Sequence, residues 1–436
     1  MLNKQNILFI TIDSLRSDKI YGKFKKSQIP NIQKIINNSL FFPNTISSVD
    51  ATDSSLGSMF TGTFPFNNKI TFYKNHKKTN FFFNILKNYG YNLYSMLPEK
   101  AFFNTLSNSF DNFEKYEIDP YELLYQGIGN KIVQKLKSKS LVEPWIYYIH
   151  IMDLHPSGNK FSFPNKYQSL NYGSNDYEKT ISGLDFWIGQ FFENIDDSKT
   201  IFVLTSDHGD FIPEKGKRID DVSNIQQKLK PIKKFIPLGE NFWGSILART
   251  KSFVKEIRIL KNKENLNEFQ KRSLYNRVEG HLFDEIIKVP LLLFIPGQKS
   301  RIFNHQISTI DIIPTLFDLL KIDFQSELNG SSLLRLVNNL DWKERALYIE
   351  SASKSKKSIG KTFGVRTSQF KYFRERTNFE HSFLYDLKND PLEMNNIIST
   401  NKETQEKMEN LLQSFISKST EKEKILKIIK KKQWGF

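Results

Sequence analysis

The chain contains no cysteine in 436 residues. That absence excludes disulfides, zinc-thiolate sites, cysteine nucleophiles and any cofactor made by oxidising a cysteine. Long apolar runs are missing too: nothing approaches the roughly 18 to 20 uninterrupted residues of a membrane-crossing helix. The opening residues, MLNKQNILFITID, reach a strand pattern too early for a secretory leader, so a cytoplasmic location is expected. Acidic residues are the scarcer charge, 47 against 63 lysines and arginines, which leaves a formal charge of +16. Such a charge favours anionic partners, but a solvated basic surface is the better account of it. Nucleic acid has only this net charge in its favour and is not an expected partner. What is present is a hydrophobic fraction of 39%, enough for a large core in one big domain or two.

Strand-like apolar runs lie at Ile7–Ile12, Trp145–Ile149, Thr200–Thr205 and Val289–Ile295. Continuous runs of this kind suit strands buried on both faces. Helical patterns lie at Ile32–Asn38, Phe81–Asn88 and Tyr177–Phe192. An α/β fold follows, with a large mostly parallel sheet sandwiched by helices. Sites in such sheets form at the carboxyl ends of the strands. A lysine-rich segment, 219–278, interrupts the rhythm and is longer than an ordinary connection, so it is expected to be a partly helical insertion. After about Asp341 the pattern changes to short strands at Ala346–Glu350, Thr362–Arg366, Phe370–Arg374 and Ser382–Leu387. These predict a small antiparallel sheet in a C-terminal subdomain, 341–436, beside a catalytic domain, 1–340. A helix with a basic end, Lys424–Lys432, closes the chain. Its alternating apolar residues and lysines would cover the domain or rest on an anionic membrane.

Polar residues at the strand ends carry the chemistry. Asp13 follows ILFITI directly, where a carboxylate holds a divalent metal or caps the next turn. Ser206, Asp207, His208 and Gly209 follow TIFVLT, adjacent oxygen and nitrogen ligands at a sharp turn. Residues 51–65, ATDSSLGSMFTGTFP, have a hydroxyl-rich start that suits a helix N-terminus.

Six motifs in order resemble the sulfatase family of the alkaline phosphatase superfamily. They are NILFITIDSLRSD (6–18), IPNIQKIINNSLFFPNTIS (29–47), TSDHGD (205–210), GHLFDEIIKVPLLLFIPG (280–297), IDIIPTLFDLLKI (310–322) and the VRTSQFKYFRE and LYDLKNDPLEMNNI pair from 365 and 384. The resemblance spans nearly the whole chain. It implies an alkaline phosphatase-like fold, with Asp13, Asp207, His208 and Thr52 as ligands of a divalent metal and Thr52 at the nucleophile's place. Manganese, zinc, magnesium and calcium all suit such a set. IYYIHIMDLHP (146–156) resembles the family's H-x-M-D-P-H segment and implies His150, His155 and, with the late motif, His281 as catalytic groups that stabilise charge or protonate the leaving group.

The chain departs from the family at the nucleophile. A sulfatase has cysteine or serine there, oxidised to formylglycine, within C/S-x-P-S-R. Here the stretch is Thr52-Asp53-Ser54-Ser55-Leu56, and threonine cannot become formylglycine. Leu56 stands at the arginine's place, and Leu97, Pro98, Glu99 and Lys100 occupy the G-K-W-H segment. A threonine nucleophile resembles the branches that cleave or transfer phosphoryl groups. The leading expectation is therefore a metal-dependent phosphodiesterase or phosphotransferase working through a covalent Thr52 intermediate. A sulfatase acting without formylglycine and a catalytically silent anion-binding protein are the alternatives. The expected substrate is an anionic small-molecule, glycan or lipid ester. Lys215, Lys217 and Arg218 are candidates for contacting it.

Overall fold

The computed structural model describes residues 4–71, 74, 76–117, 123–138, 140–155, 161, 163–212, 266–273, 280–323, 327–352 and 361–417. Most of the 219–278 segment, the cations at 215, 217 and 218, and the basic C-terminal stretch therefore lie outside the described residues.

The apolar run Asn6–Ile12 forms strand β1 at the centre of a nine-stranded sheet. The other strands are β2 (Leu40–Ile46), β3 (Asn92–Pro98), β4 (Asn112–Tyr116), β5 (Trp145–Ile151), β6 (Thr200–Thr205), β7 (Lys288–Phe294) and two short ones, β8 (Arg301–Ile302) and β9 (Ile307–Ser308). Their order is β4-β3-β5-β1-β6-β7-β2-β8, with β9 also on β2. The block β4 to β6 is parallel, while β7 runs antiparallel to both its neighbours. The sheet is thus mixed but mostly parallel.

Alternation in β1 explains why it is buried throughout. Leu8, Ile10 and Ile12 face one core, shared with helix α1 (Pro30–Ile36) and the long helix Asp176–Glu193. Ile7 and Phe9 face a second core, shared with helix α2 (Thr52–Thr61) and the helices Phe81–Asn88 and Ile312–Leu319. Each face needs apolar side chains, so the strand reads as a continuous run rather than an alternating one. Helix α2 buries Leu56, Met59 and Phe60 and stops at Gly62, whose φ of 61° is the left-handed conformation that glycine adopts without a Cβ clash.

A four-stranded antiparallel sheet follows: β10 (Leu347–Glu350), β11 (Thr362–Arg366), β12 (Phe370–Glu375) and β13 (Ser382–Asp386), with helical residues 402–417 packed on it. It docks next to the start of α2, where Glu350 N donates to Ser48 O at 2.9 Å and Ala352 N to Asp50 Oδ1 at 2.6 Å. No helix among the described residues is long and apolar enough to cross a membrane.

Candidate active site

Three neighbouring strands, β5, β1 and β6, end side by side and deliver His150, Asp13 and Asp207. These three side chains are fully buried, and their ligand atoms lie within 4.8 Å of one another. Local geometry turns each of them inward. Past Asp13 the chain enters the left-handed region at Ser14, φ 63°, unusual for a residue with a Cβ. Tyr177 holds that turn: its hydroxyl donates to Ser14 O at 2.7 Å and accepts from Arg16 N at 3.0 Å. Ser14 Oγ donates to Asp13 Oδ1 at 2.6 Å, and Ser14 N to Asp207 Oδ1 at 3.2 Å. Gly209 closes the other turn, since a Cβ there would sit 2.1 Å from the carbonyl oxygen of Glu285.

Thr52 is the first residue of α2, and its Oγ1 lies 3.2 Å from Asp13 Oδ2 and 3.2 Å from His208 Nε2. Nδ1 of His208 is 2.9 Å from Gly209 O, which can only accept, so the ring proton belongs on Nδ1 and Nε2 presents its lone pair. Ser55, one turn along α2, donates to Asp207 O at 2.5 Å and ties the helix to the metal-type loop. The hydroxyl therefore meets one aspartate, an imidazole and the positive end of a ten-residue helix.

The site's electrostatics ask for a cation. Burial pushes the Asp13 carboxyl up, but the imidazoles of His150, His155 and His208 outweigh it and hold the group well below the usual carboxylate range. Asp207 Oδ2 and His150 Nε2 are buried without a hydrogen-bond partner, and His150 Nε2 stands 3.7 Å from Asp13 Oδ2. Two buried carboxylates and an imidazole whose ligand atoms converge form an oxygen and nitrogen donor set that fits a divalent ion. His208 Nε2, 3.4 Å from Asp207 Oδ2, and Thr52 extend the same cluster. The geometry thus groups His150 with the four ligand residues named from the sequence.

The remaining histidines sit at its margin. His155 is half-buried and near enough to act on the Asp13 carboxyl. His281 follows Gly280, and its ring stacks on Phe283 at 5.7 Å and faces Phe211 of the Asp207 loop at 6.4 Å. Asp153 turns aside to accept from Leu124 N at 3.3 Å, and burial pushes its carboxyl up to about 7. Two further residues at the site carry no mark in the sequence. Tyr177 is one, because its partners lie some 160 positions away. Asp53 is the other: burial pushes its carboxyl up to about 6 against His76 and Lys100, with Asp207 and Asp13 adding to the rise.

A mostly parallel sheet whose adjacent strand ends gather aspartates, histidines and a helix-start hydroxyl has the form of the alkaline phosphatase-like hydrolases. Within them the chain belongs to the sulfatase family, whose description, Sulfatase, matches residues 5–322. Residues 269–421 also match the family of N-sulphoglucosamine sulphohydrolase C-terminal regions. Arylsulfatase K of Mus musculus is 23% identical over 311 residues, 66% of this chain and 52% of that protein. Matches to curated relatives cover from 22% to 53% of those proteins' own lengths. Among solved structures, a protein in complex with its substrate D-glucosamine-2-N,6-O-disulfate aligns with a TM-score of 0.64 at 15% identity, over 96% of this chain and 98% of that one. The phosphonate monoester hydrolase of Agrobacterium radiobacter aligns with a TM-score of 0.62 at 13% identity, over 95% and 96%. These two likenesses establish the fold. The relatives shift the weight from phosphoryl transfer, the leading expectation from sequence, towards the sulfatase alternative.

Proposed function

We propose that the protein hydrolyses sulfate esters carried by saccharides, with Thr52 in the nucleophile's place. The observation that carries this is Thr52 Oγ1, 3.2 Å from both Asp13 Oδ2 and His208 Nε2 at the N-terminus of α2. The saccharide class is supported by the glucosamine disulfate held by the structural relative. A divalent ion held by Asp13, His150, Asp207 and His208 would, when bound, neutralise the buried carboxylates and lower the pKa of the Thr52 hydroxyl. Oγ1 gives up its proton to solvent and attacks the ester sulfur in line, forming a threonine O–S bond as the bond from sulfur to the sugar oxygen breaks. His155 or His281 gives the departing oxygen its proton. Water then attacks the same sulfur, releasing sulfate and restoring the hydroxyl. Threonine has a single Cβ oxygen, so release must occur at sulfur, whereas a formylglycine hydrate expels sulfate by carbon–oxygen cleavage.

A second reading keeps the same centre and transfers phosphoryl groups. It is favoured by Thr52 itself, by the buried Leu56 at the arginine's place, and by the phosphonate monoester hydrolase of like fold. A panel of sulfate ester, phosphate monoester and phosphate diester, each with manganese, zinc, magnesium or calcium, decides between them. Sulfate ester turnover at least tenfold above phosphate turnover is the expected result. The reverse ratio establishes the phosphoryl reading, and no turnover of any ester with any metal ends both.

A further inference from the structure

A cleft between the residues leading into α1 and the long helix Asp176–Glu193 is left unused by this mechanism. Its volume of about 750 Å³ falls within the range of small-molecule sites. Tyr177, in the first turn of the long helix, reaches Ser14 with its hydroxyl, whereas Phe186 of the cleft stands roughly 13 Å further along the axis. The cleft therefore lies outside the reaction centre. One hydroxyl ties its walls together: Ser182 Oγ donates to Tyr172 O at 2.6 Å and accepts from Gln28 N at 2.7 Å, joining the helix, the turn Leu170–Tyr172 and the segment before α1. Tyr125 fixes the turn Asn165–Tyr167, its hydroxyl donating to Gly183 O at 3.0 Å and lying 2.9 Å from that of Tyr167. The cleft is thus built in advance of any occupant.

Aromatic rings, amides and two ammoniums face it. Phe186 keeps 39% of its surface exposed, and Tyr172 is half-buried with its ring 5.1 Å from that of Tyr167. Lys166 places its ammonium over the rings of Tyr167 at 4.9 Å and Phe186 at 5.3 Å. Neither Lys166 nor the half-buried Lys25 is paired with a carboxylate among the described residues. The carboxylate in the lining, Asp185, is consumed by the start of α1, accepting from Asn31 N at 3.1 Å, Asn31 Nδ2 at 2.9 Å and Ile32 N at 2.7 Å. The charge left to meet a ligand is therefore positive. Gln28 and Asn171 add side-chain amides that bond to no other described residue. An apolar ligand would strip water from the amides and ammoniums without replacing it, and a bare inorganic anion would leave the rings uncovered. A sugar ring offers an apolar face to an aromatic side chain and hydroxyls to amides, and sulfate groups on it match the ammoniums.

We propose that this cleft is a second saccharide-binding site, which holds a sulfated chain of several sugars while the centre at Thr52 acts on another part of it. A single sugar cannot reach both places, so the substrate class is an oligosaccharide or polysaccharide. The inference rests on the saccharide reading of the function, and its test separates the two. Calorimetry on the full chain would use a heparin decasaccharide, its desulfated form and inorganic sulfate as probes, at about 0.15 M ionic strength so that distant charges are screened. The wild type should bind the sulfated chain about tenfold or more tighter than either of the other probes. Phe186→Ala and Lys166→Met should each weaken that binding about tenfold, whereas Lys388→Met, which removes a lysine exposed elsewhere, should change it less than about threefold. Turnover of the ester identified by the substrate panel should be the same in all three variants. Equal losses in all three, a loss in Lys166→Met with none in Phe186→Ala, or wild-type binding no tighter to the sulfated chain than to the desulfated one each overturns the site. Sulfate ester turnover without binding that depends on the cleft removes the second site and leaves the function standing. Binding that depends on the cleft, in a protein that turns over phosphate esters alone, does the reverse.

Discussion

Thr52 owes its place to where the backbone stops being extended: Ala51 is in the β region, and the next residue begins α2. Its hydroxyl is therefore held at the helix end while Asp13 and His208 approach from two different strand ends. Thr52→Ala should lower kcat on the order of a hundredfold or more, whereas Thr52→Ser, which keeps the oxygen, should retain measurable turnover. Steady-state rates on the ester identified by the substrate panel check both; an alanine variant as fast as the wild type would make the hydroxyl a helix cap and nothing more. Asp13, Thr52, Asp207 and His208 were legible in the sequence because each marks a strand end or helix start within an ordered motif. Asp53 was not. No sequence pattern tells which buried carboxylate will be left without a partner, since that depends on what the turn His76–Asn80 and the residue before Ala101 bring against it.

Among the elements, the buried seven-residue strands were readable from their apolar runs, and so were the four short strands of the C-terminal sheet. Strand β4 was not, because Asn112–Tyr116 is an edge strand with three exposed positions and no alternation to betray it. The antiparallel run of β7 was equally hidden, for direction leaves no mark on a strand buried on both faces. Helical residues 402–417 are tied to β12 through Glu409, which accepts from Arg374 at 2.9 and 2.8 Å. Burial raises the Glu409 carboxyl, but Arg374, Gln413 and Tyr372 outweigh it and hold it at about 2, below its ordinary 4.5. A depressed carboxyl stabilises the fold above its unfolded value and ceases to as pH falls through the folded one. Glu409→Gln should thus cost about 1 kcal/mol at pH 7, reduced from the full shift by solvent screening, and the difference should fade between pH 4.5 and 2. Urea midpoints of the two proteins across that range measure it, and a gap that persists undiminished at pH 2 would refute the assignment.

For the whole molecule, the two sheets meet at a buried ionic hub. Lys371 of β12 has no exposed surface and reaches Asp284 at 2.6 Å, Glu393 at 2.7 Å and the carbonyl of Leu282 at 3.0 Å, one residue from His281. Arg366 adds a bidentate bond to Asp284 at 3.0 and 2.8 Å. Lys371→Met would leave buried carboxylates short of a counter-charge, and a loss of about 3 to 5 kcal/mol in urea unfolding is expected. A loss under 1 kcal/mol would show that Arg366 suffices. The candidate centre has the opposite imbalance, an excess of buried carboxylates. Treating the metal-loaded protein with a chelator should therefore lower Tm by several degrees, restored on adding the ion back; a Tm indifferent to chelation would argue against a resident ion at Asp13 and Asp207.

The position of β1 has a cost during synthesis. Ile7 is paired with Ile146 on one side and Ile201 on the other, so β1 is not flanked on both edges until β6 has been made. Until Thr200–Thr205 has left the ribosome, NILFITI is a strand with one open edge and two apolar faces, the kind of surface that chaperones hold and that aggregates when they do not. Slow translation before residue 200 would lengthen that exposure, and the centre built on Asp13 cannot exist in any nascent chain too short to contain Asp207.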